Sequence, residues 1–425
     1  MKKVIGILAL LVFAGNIASA ELLKNAKYSG SMEIKNVTGQ KSVAAGKSDF
    51  SNTNTRLMMG VNFDLSDEIN AQVSAIKSDY RYYGDDSTGQ NVDALTANIR
   101  FAEAYVGLKN VLGLNHKFGK QFYGKAGDMV VYYGPSFGGN NNVANFNVSA
   151  IDGWYAEWMK NKWTVTGLAG KVDELSTTNP QDINLYGVTG KYDYSEIVKA
   201  TAYGYQKDSR NDTVAPAYQH DTLNVFGVKA EGKFMGVGYG AEYAMNMGKN
   251  KQLAVAEDYV GNALKVNADY ALDLNAIGKF EFMGEFAMGS GDESATDDEE
   301  GEFQAINQNY QPGMIFGTYG VGQTMNGIGN LTTMNVGAKY MPKQIEKLSI
   351  GAKFFTFAPT EEPVGYDTYG SELNVCANWK HSENIGLKLS YGMFMPDEDY
   401  VVAYKGAGAS DATETLMGLD LTLKF

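Results

Sequence analysis

The chain's reactive inventory is small: three histidines (His116, His220, His381), one cysteine (Cys376) and a large body of lysines and carboxylates. A hydrolase needs a hydroxyl, thiol or water activated by an imidazole and a carboxylate within hydrogen-bond reach. His116 and His381 fall at or near tight turns, and His220 adjoins Asp221, where neighbouring residues of a strand point to opposite faces. Catalysis is therefore not expected. The scattered His and Cys make no structural zinc site, and no metal or cofactor is expected. The acidic stretch beginning at Asp292 lacks the glycine that an EF-hand loop carries at its sixth position. What remains as chemistry is charge offered to water at alternate positions, which suits the passage of hydrated solutes.

Those charges lie on the polar phase of segments with period two. Arg56, Glu103, Lys117, Glu157, Lys199, Lys229, Glu242, Lys279, Glu281, Glu285, Lys339, Lys353, Glu372 and Lys388 alternate with apolar neighbours. Ser349, Gly351 and Lys353 interleave with Ile350, Ala352 and Phe354, and Lys388 and Ser390 with Leu387, Leu389 and Tyr391. One face is expected to meet lipid and the other a channel too charged to be dry. Many of the pairs should be cross-strand salt bridges that hold the wall.

The alternation predicts eighteen strands: 26–37, 54–65, 68–80, 96–109, 114–123, 150–159, 162–172, 183–192, 197–207, 221–234, 237–248, 262–271, 277–289, 331–340, 347–357, 368–380, 384–394 and 413–425. Their separators alternate between tight turns and long polar stretches. The fold class this implies is all-β, a transmembrane antiparallel up-and-down barrel with short periplasmic turns and long external loops. It must close on itself, because an open sheet edge in hydrocarbon would leave backbone groups unpaired. Aromatic residues near strand ends, among them Trp158, Trp163, Tyr192, Tyr270, Tyr340 and Trp379, suit an interfacial girdle.

Met1 to Ala20 carries Lys2 and Lys3, an apolar run and then Ala18-Ser19-Ala20, the layout of a secretory signal peptide. Residues 21–425 are expected to form one barrel domain. The charge of −13 at neutral pH, −15 once Lys2 and Lys3 are removed, argues against nucleic acid as a partner. A single cysteine excludes an intramolecular disulfide framework.

Two loops draw functional expectations. Residues 124–149 hold Gly134, Phe137, Asn140, Asn141 and Asn142, whose glycines and uncharged dipoles suit a segment folded into the pore as a constriction. Residues 291–330 open with Asp292, Asp297, Asp298, Glu299 and Glu300, expected as a solvated acidic mouth that biases the pore weakly toward cations or gathers divalent ions at the lipopolysaccharide surface.

The blocks FAEAYVGLKNVLGLNHKFGKQFYGKAG from Phe101, TYGSELNVCANWKHSENIGLKLSYGMFMP from Thr368 and LMGLDLTLKF from Leu416 resemble the alginate-export family of barrels. The stretch FQAINQNYQPGMIFG from Phe303 is similar to that family's long late loop. The resemblance implies an 18-stranded outer-membrane barrel, and a channel for an anionic oligo- or polysaccharide as the alternative to a general porin. Lys120 stands where the family commonly has Arg, and the chain has only four Arg, whereas a polyuronate is best gripped by many guanidinium groups. A porin for small hydrophilic solutes is therefore the primary reading, as a monomer or a homotrimer. The tail LTLKF, ending at Phe425, resembles the terminal signature that the barrel-assembly machinery reads.

Overall fold

The computed structural model describes residues 26–43, 46–77, 99–140, 143–174, 182–211, 219–253, 255–294, 296–317 and 327–425. The expected signal segment 1–20, Asn141 and Asn142 lie outside the described residues.

Eighteen strands form one antiparallel wall. They are β1 Ala26–Val43, β2 Gly46–Asp64, β3 Ile69–Lys77, β4 Ile99–Val111, β5 Leu114–Gln121 and β6 Ile151–Lys160. Then follow β7 Trp163–Glu174, β8 Asp182–Asp193, β9 Lys199–Asn211, β10 Gln219–Phe234, β11 Val237–Asn250 and β12 Asn262–Leu274. The wall ends with β13 Gly278–Gly289, β14 Leu331–Pro342, β15 Leu348–Ala358, β16 Gly370–Lys380, β17 Ile385–Pro396 and β18 Glu414–Lys424. Each strand pairs with its neighbour in sequence, and β18 returns to β1 in the register Ser31↔Lys424 through Gln40↔Thr415. That last ladder leaves no open edge for lipid to meet.

The tight turns follow local stereochemistry. Met235 and Gly236 both have positive φ (50° and 86°), the type I′ geometry whose twist matches an antiparallel hairpin. The stretch 38–53, expected as a long loop, instead continues β1 and β2 in register from Thr38↔Ser51 to Val43↔Gly46. Its Thr, Ser and Asn side chains read as a loop by composition, yet Thr38 Oγ1 and Ser51 Oγ bond across the pair at 2.9 Å and Asn36 Nδ2 donates to Thr53 Oγ1 at 2.7 Å. Such polar cross-strand pairs hold the hairpin together beyond the expected strand ends.

Alternation gives the wall two unlike faces. On β10, Val225 is buried while Phe226 and Val228 are exposed, and on β17, Leu387, Leu389 and Tyr391 are all exposed. These outward residues form the surface that lipid covers. Replacing Leu389 with Lys is expected to destabilise the barrel by about 2–4 kcal/mol if the site is near the midplane, as charged residues on lipid faces do. Urea unfolding in lipid vesicles would measure it, with the neighbouring exchange Lys388→Leu as the control for the other face.

Candidate pore constriction

Two loops leave the rim and cross the interior. The first, between β5 and β6, pairs Tyr123–Gly124 with Tyr132–Tyr133 and then forms a hairpin of Pro135–Asn140 against Val143–Val148. The second, between β13 and β14, contributes residues 303–316. They are joined by a parallel bridge at Val131 and Asn307. Around it Tyr132 N donates to Asn307 O (2.7 Å), Asn307 N to Val130 O (3.1 Å) and Asn309 N to Asp128 O (3.1 Å). Asn307 Nδ2 adds a bond to Tyr132 O at 2.7 Å.

The joined loops touch strands all around the ring. Arg56 of β2 donates from Nη1 to Ser136 O (3.2 Å), and Lys35 of β1 lies over the Phe137 ring at 4.5 Å. On the far side Asn246 of β11 and Gln304 exchange two bonds, at 2.7 and 2.9 Å. Tyr310 donates to Glu285 of β13 (2.9 Å), and the backbone at 314–316 reaches Glu372 of β16. Strands β2 and β11 stand half a turn apart in the 18-membered ring, so one body of loops can touch both only by lying inside it.

The wall is built to receive them. Ile151, Leu168, Leu185, Leu223, Val225, Ala244, Ala263 and Ala287 are buried under Met129, Val130, Val131, Tyr133, Phe303 and Ile306. A second cluster packs Ile315 and Phe316 of the late loop with Val37, Leu331, Phe355, Phe357, Tyr369, Phe394 and Leu416, joined by Tyr400 and Val401 of the helix Glu398–Lys405. Burying surface of this kind is worth roughly 25 cal/mol per Å² of apolar area. The expectation of a polar inner face carrying charges of both signs does not include these patches, because inward Leu and Val in β7, β8 and β10 look like breaks in the pattern until a loop covers them.

Left-handed backbone is found at Gly124 and Gly127 (φ 78° and 87°), whereas Gly134 is needed for space: a Cβ there would lie 2.5 Å from the Tyr132 hydroxyl oxygen. Phe137 is part of the second cluster's rim, and Asn140 ends the hairpin strand.

The charged residues named from the sequence divide into paired, covered and unpaired groups. Arg56 donates from Nη2 to both carboxylate oxygens of Glu33 (2.8 and 2.9 Å), and Lys35 bonds Asp420 across the closing seam at 2.9 Å. Glu281 takes both Lys279 and Lys339 at 3.0 Å, Lys229 reaches Glu231 at 3.8 Å, and buried Glu242 sits between Tyr203 (2.9 Å) and Lys265 (3.9 Å). Glu103 accepts from Ser74 (3.1 Å), Glu157 from Tyr155 (3.2 Å), and Lys117 lies between the Tyr105 and Tyr155 rings at 5.1 and 5.5 Å. Glu372 is wholly buried and Glu285 is occupied by Tyr310, so neither stands free on the wall. Among the described residues Lys199, Lys353 and Lys388 make no ion pair.

The acidic stretch is more ordered than its composition suggests. Glu299–Glu300 pairs in parallel with Asp258–Tyr259, Asp292 accepts from Gly301 N (3.3 Å) and Asp297 from Glu299 N (3.0 Å). Asp297, Asp298 and Glu299 remain exposed, while burial first, and then repulsion from Asp292 on Glu300 and from Glu300 on Glu302, pushes the Glu300 and Glu302 carboxyls above the usual range.

The histidines are placed for structure. His116 accepts from Trp154 Nε1 at 3.1 Å, which leaves its Nε2 to donate to Val111 O at 3.1 Å, and His220 Nδ1 bonds Asp208 at 2.8 Å. Among the described residues no group of three or more His, Cys, Asp or Glu is arranged to hold a metal.

A family model described as alginate export matches residues 43–405. No curated protein sequence matches the chain. Among solved structures, Pseudomonas aeruginosa OpdQ superposes with a TM-score of 0.58 at 10% identity, covering 96% of this chain and 99% of the other. Acinetobacter baumannii OccAB2 gives 0.58 at 11% identity, with coverage of 96% and 99%. Pseudomonas aeruginosa OccK9 gives 0.57 at 12%, with coverage of 95% and 99%.

Proposed function

The chain belongs to the alginate-export family of bacterial outer-membrane β-barrels, and from that premise we propose that it is a porin through which small hydrophilic solutes and ions diffuse passively. The observation that carries this reading is the two-loop septum set inside a wall of paired charges. A barrel of this strand number leaves an aqueous lumen, and the septum reduces it to a passage sized for small solutes. Exposed Asp297, Asp298 and Glu299 at the mouth support a weak preference for cations. No catalytic role is proposed: among the described residues none of the three histidines is hydrogen-bonded to a hydroxyl or thiol nucleophile. Assembly through recognition of Phe425, and lipopolysaccharide at the outer rim, complete the proposal.

Purified protein in planar bilayers is expected to give discrete conductance steps, with a cation-directed reversal potential in a salt gradient. Absence of steps would sink the porin reading, and an anion-directed potential would sink the selectivity. A second reading, a channel for an anionic oligosaccharide, is favoured by Lys199, Lys353 and Lys388, which carry no carboxylate partner among the described residues. Block of the same current by oligouronates at micromolar concentration, and not by neutral oligosaccharides, would select it.

A further inference from the structure

We propose that Glu372 is a positioning residue that latches the late loop across the barrel and so sets the width of the passage, an inference that rests on the channel reading above. Glu372 lies on β16, is wholly buried, and stands in register between Phe355 and Phe394. From the sheet itself the carboxylate gains only the side chain of Asn374, two residues along β16, and burying it without further donors would be costly. All three of its close donors come from the loop: Met314 N (2.6 Å) and Ile315 N (3.0 Å) to Oε1, and Phe316 N (2.8 Å) to Oε2.

Successive backbone N–H groups curled around one anion form a nest. Only an acceptor with two oxygens can collect all three donors. A glutamine amide would keep the shape but turn an NH2 toward one of the loop's own N–H groups. The nest also constrains the residue before it, since a Cβ on Gly313 would lie 2.5 Å from Glu372 Oε2. Beside the nest, Phe316 is stacked on Phe357 at 4.1 Å and flanked by Tyr369 and Phe394 at 5.4 and 5.5 Å. The aromatic box supplies apolar burial, and Glu372 supplies the point at which the loop is registered on the wall.

Two variants test this from opposite sides, Glu372→Gln on the wall and Gly313→Ala in the loop. In detergent micelles both are expected to speed hydrogen exchange of the amides at 314–316 by roughly ten- to a hundredfold, the range set by losing a hydrogen bond to a charged group, while amides of β16 and β17 keep their protection. In bilayers both are expected to raise unitary conductance and open-channel noise. Glu372→Asp, which keeps two oxygens, should restore part of the protection. Wild-type exchange and conductance in both variants would overturn the proposal, as would a lowered melting temperature with unaltered exchange at 314–316. A wild-type protein that fails to conduct would overturn the channel reading instead, leaving the exchange measurement to decide the latch.

Discussion

Replacing Phe425 with Ser is expected to lower the amount of folded barrel in the outer membrane by roughly tenfold, with no change in the unitary conductance of the barrels that do assemble. Phe425 N donates to Gly30 O (3.0 Å) and Gly30 N to Phe425 O (2.7 Å), so the terminal residue makes the first contact of the closing seam. The backbone pair survives the substitution. What is lost is the ring, which lies over Gly30 so closely that a Cβ there would be 2.3 Å from it, and which is otherwise turned out to lipid. An aromatic side chain taken out of water is worth about 1.5–3 kcal/mol, and about 1.4 kcal/mol is a factor of ten in an equilibrium. Loss of the terminal aromatic proposed above as the assembly signal would add to that. Heat-modifiable mobility of outer-membrane fractions measures the folded amount, and normal levels in the variant would count against the terminal ring as either staple or signal.

The wall was legible from the sequence because its physics is local. A strand that separates lipid from water must alternate, so Leu387-Lys388-Leu389-Ser390-Tyr391 declares both its conformation and its direction without reference to any other residue. Closure followed from hydrocarbon, which tolerates no unpaired edge. Where alternation meant something else, the reading went astray. Residues 38–53 are rich in small polar groups, and those sustain a ladder as well as they would decorate a loop.

The septum was only half legible. The 124–149 loop announced itself through glycine and asparagine, but the glycines that bend the chain backward are Gly124 and Gly127, at the start of the path. For the late loop, the decisive signal was apolar: Phe303, Ile306, Ile315 and Phe316 have no reason to occur in an external loop unless something covers them. Their counterparts are Leu168, Leu185, Leu223 and Val225, which sit on the inner phase where polar residues were expected. Each set looks like noise alone. Matching them requires knowing that the two meet, which is a property of the ring and not of any segment. The same holds for Glu372, which is indistinguishable in sequence from a wet wall carboxylate and is reassigned only by the three N–H groups around it.

Excising residues 304–316 and bridging the gap with a short Gly-Ser turn is therefore expected to widen the channel several-fold in unitary conductance while leaving the eighteen-stranded wall assembled. None of the wall's ladders includes a residue of this stretch, so the registers from β1 to β18 stand without it. The first loop does not. Val130, Tyr132 and Asp128 exchange backbone bonds with Asn307 and Asn309, each worth about 0.5–1.5 kcal/mol net, and all are lost together. The first loop would then hold through Arg56 on Ser136 O, Lys35 over Phe137 and the Tyr123–Tyr205 hydroxyl contact, which fix its start and its hairpin but supply no polar tie to residues 128–132 between them. Newly wetted Leu185, Leu223 and Val225 would favour any apolar solute able to enter, so uptake of hydrophobic dyes by cells carrying the variant should rise along with conductance. A conductance equal to wild type would mean that the passage runs clear of both loops, and the septum would then be a brace for the wall instead of the element that sizes the pore.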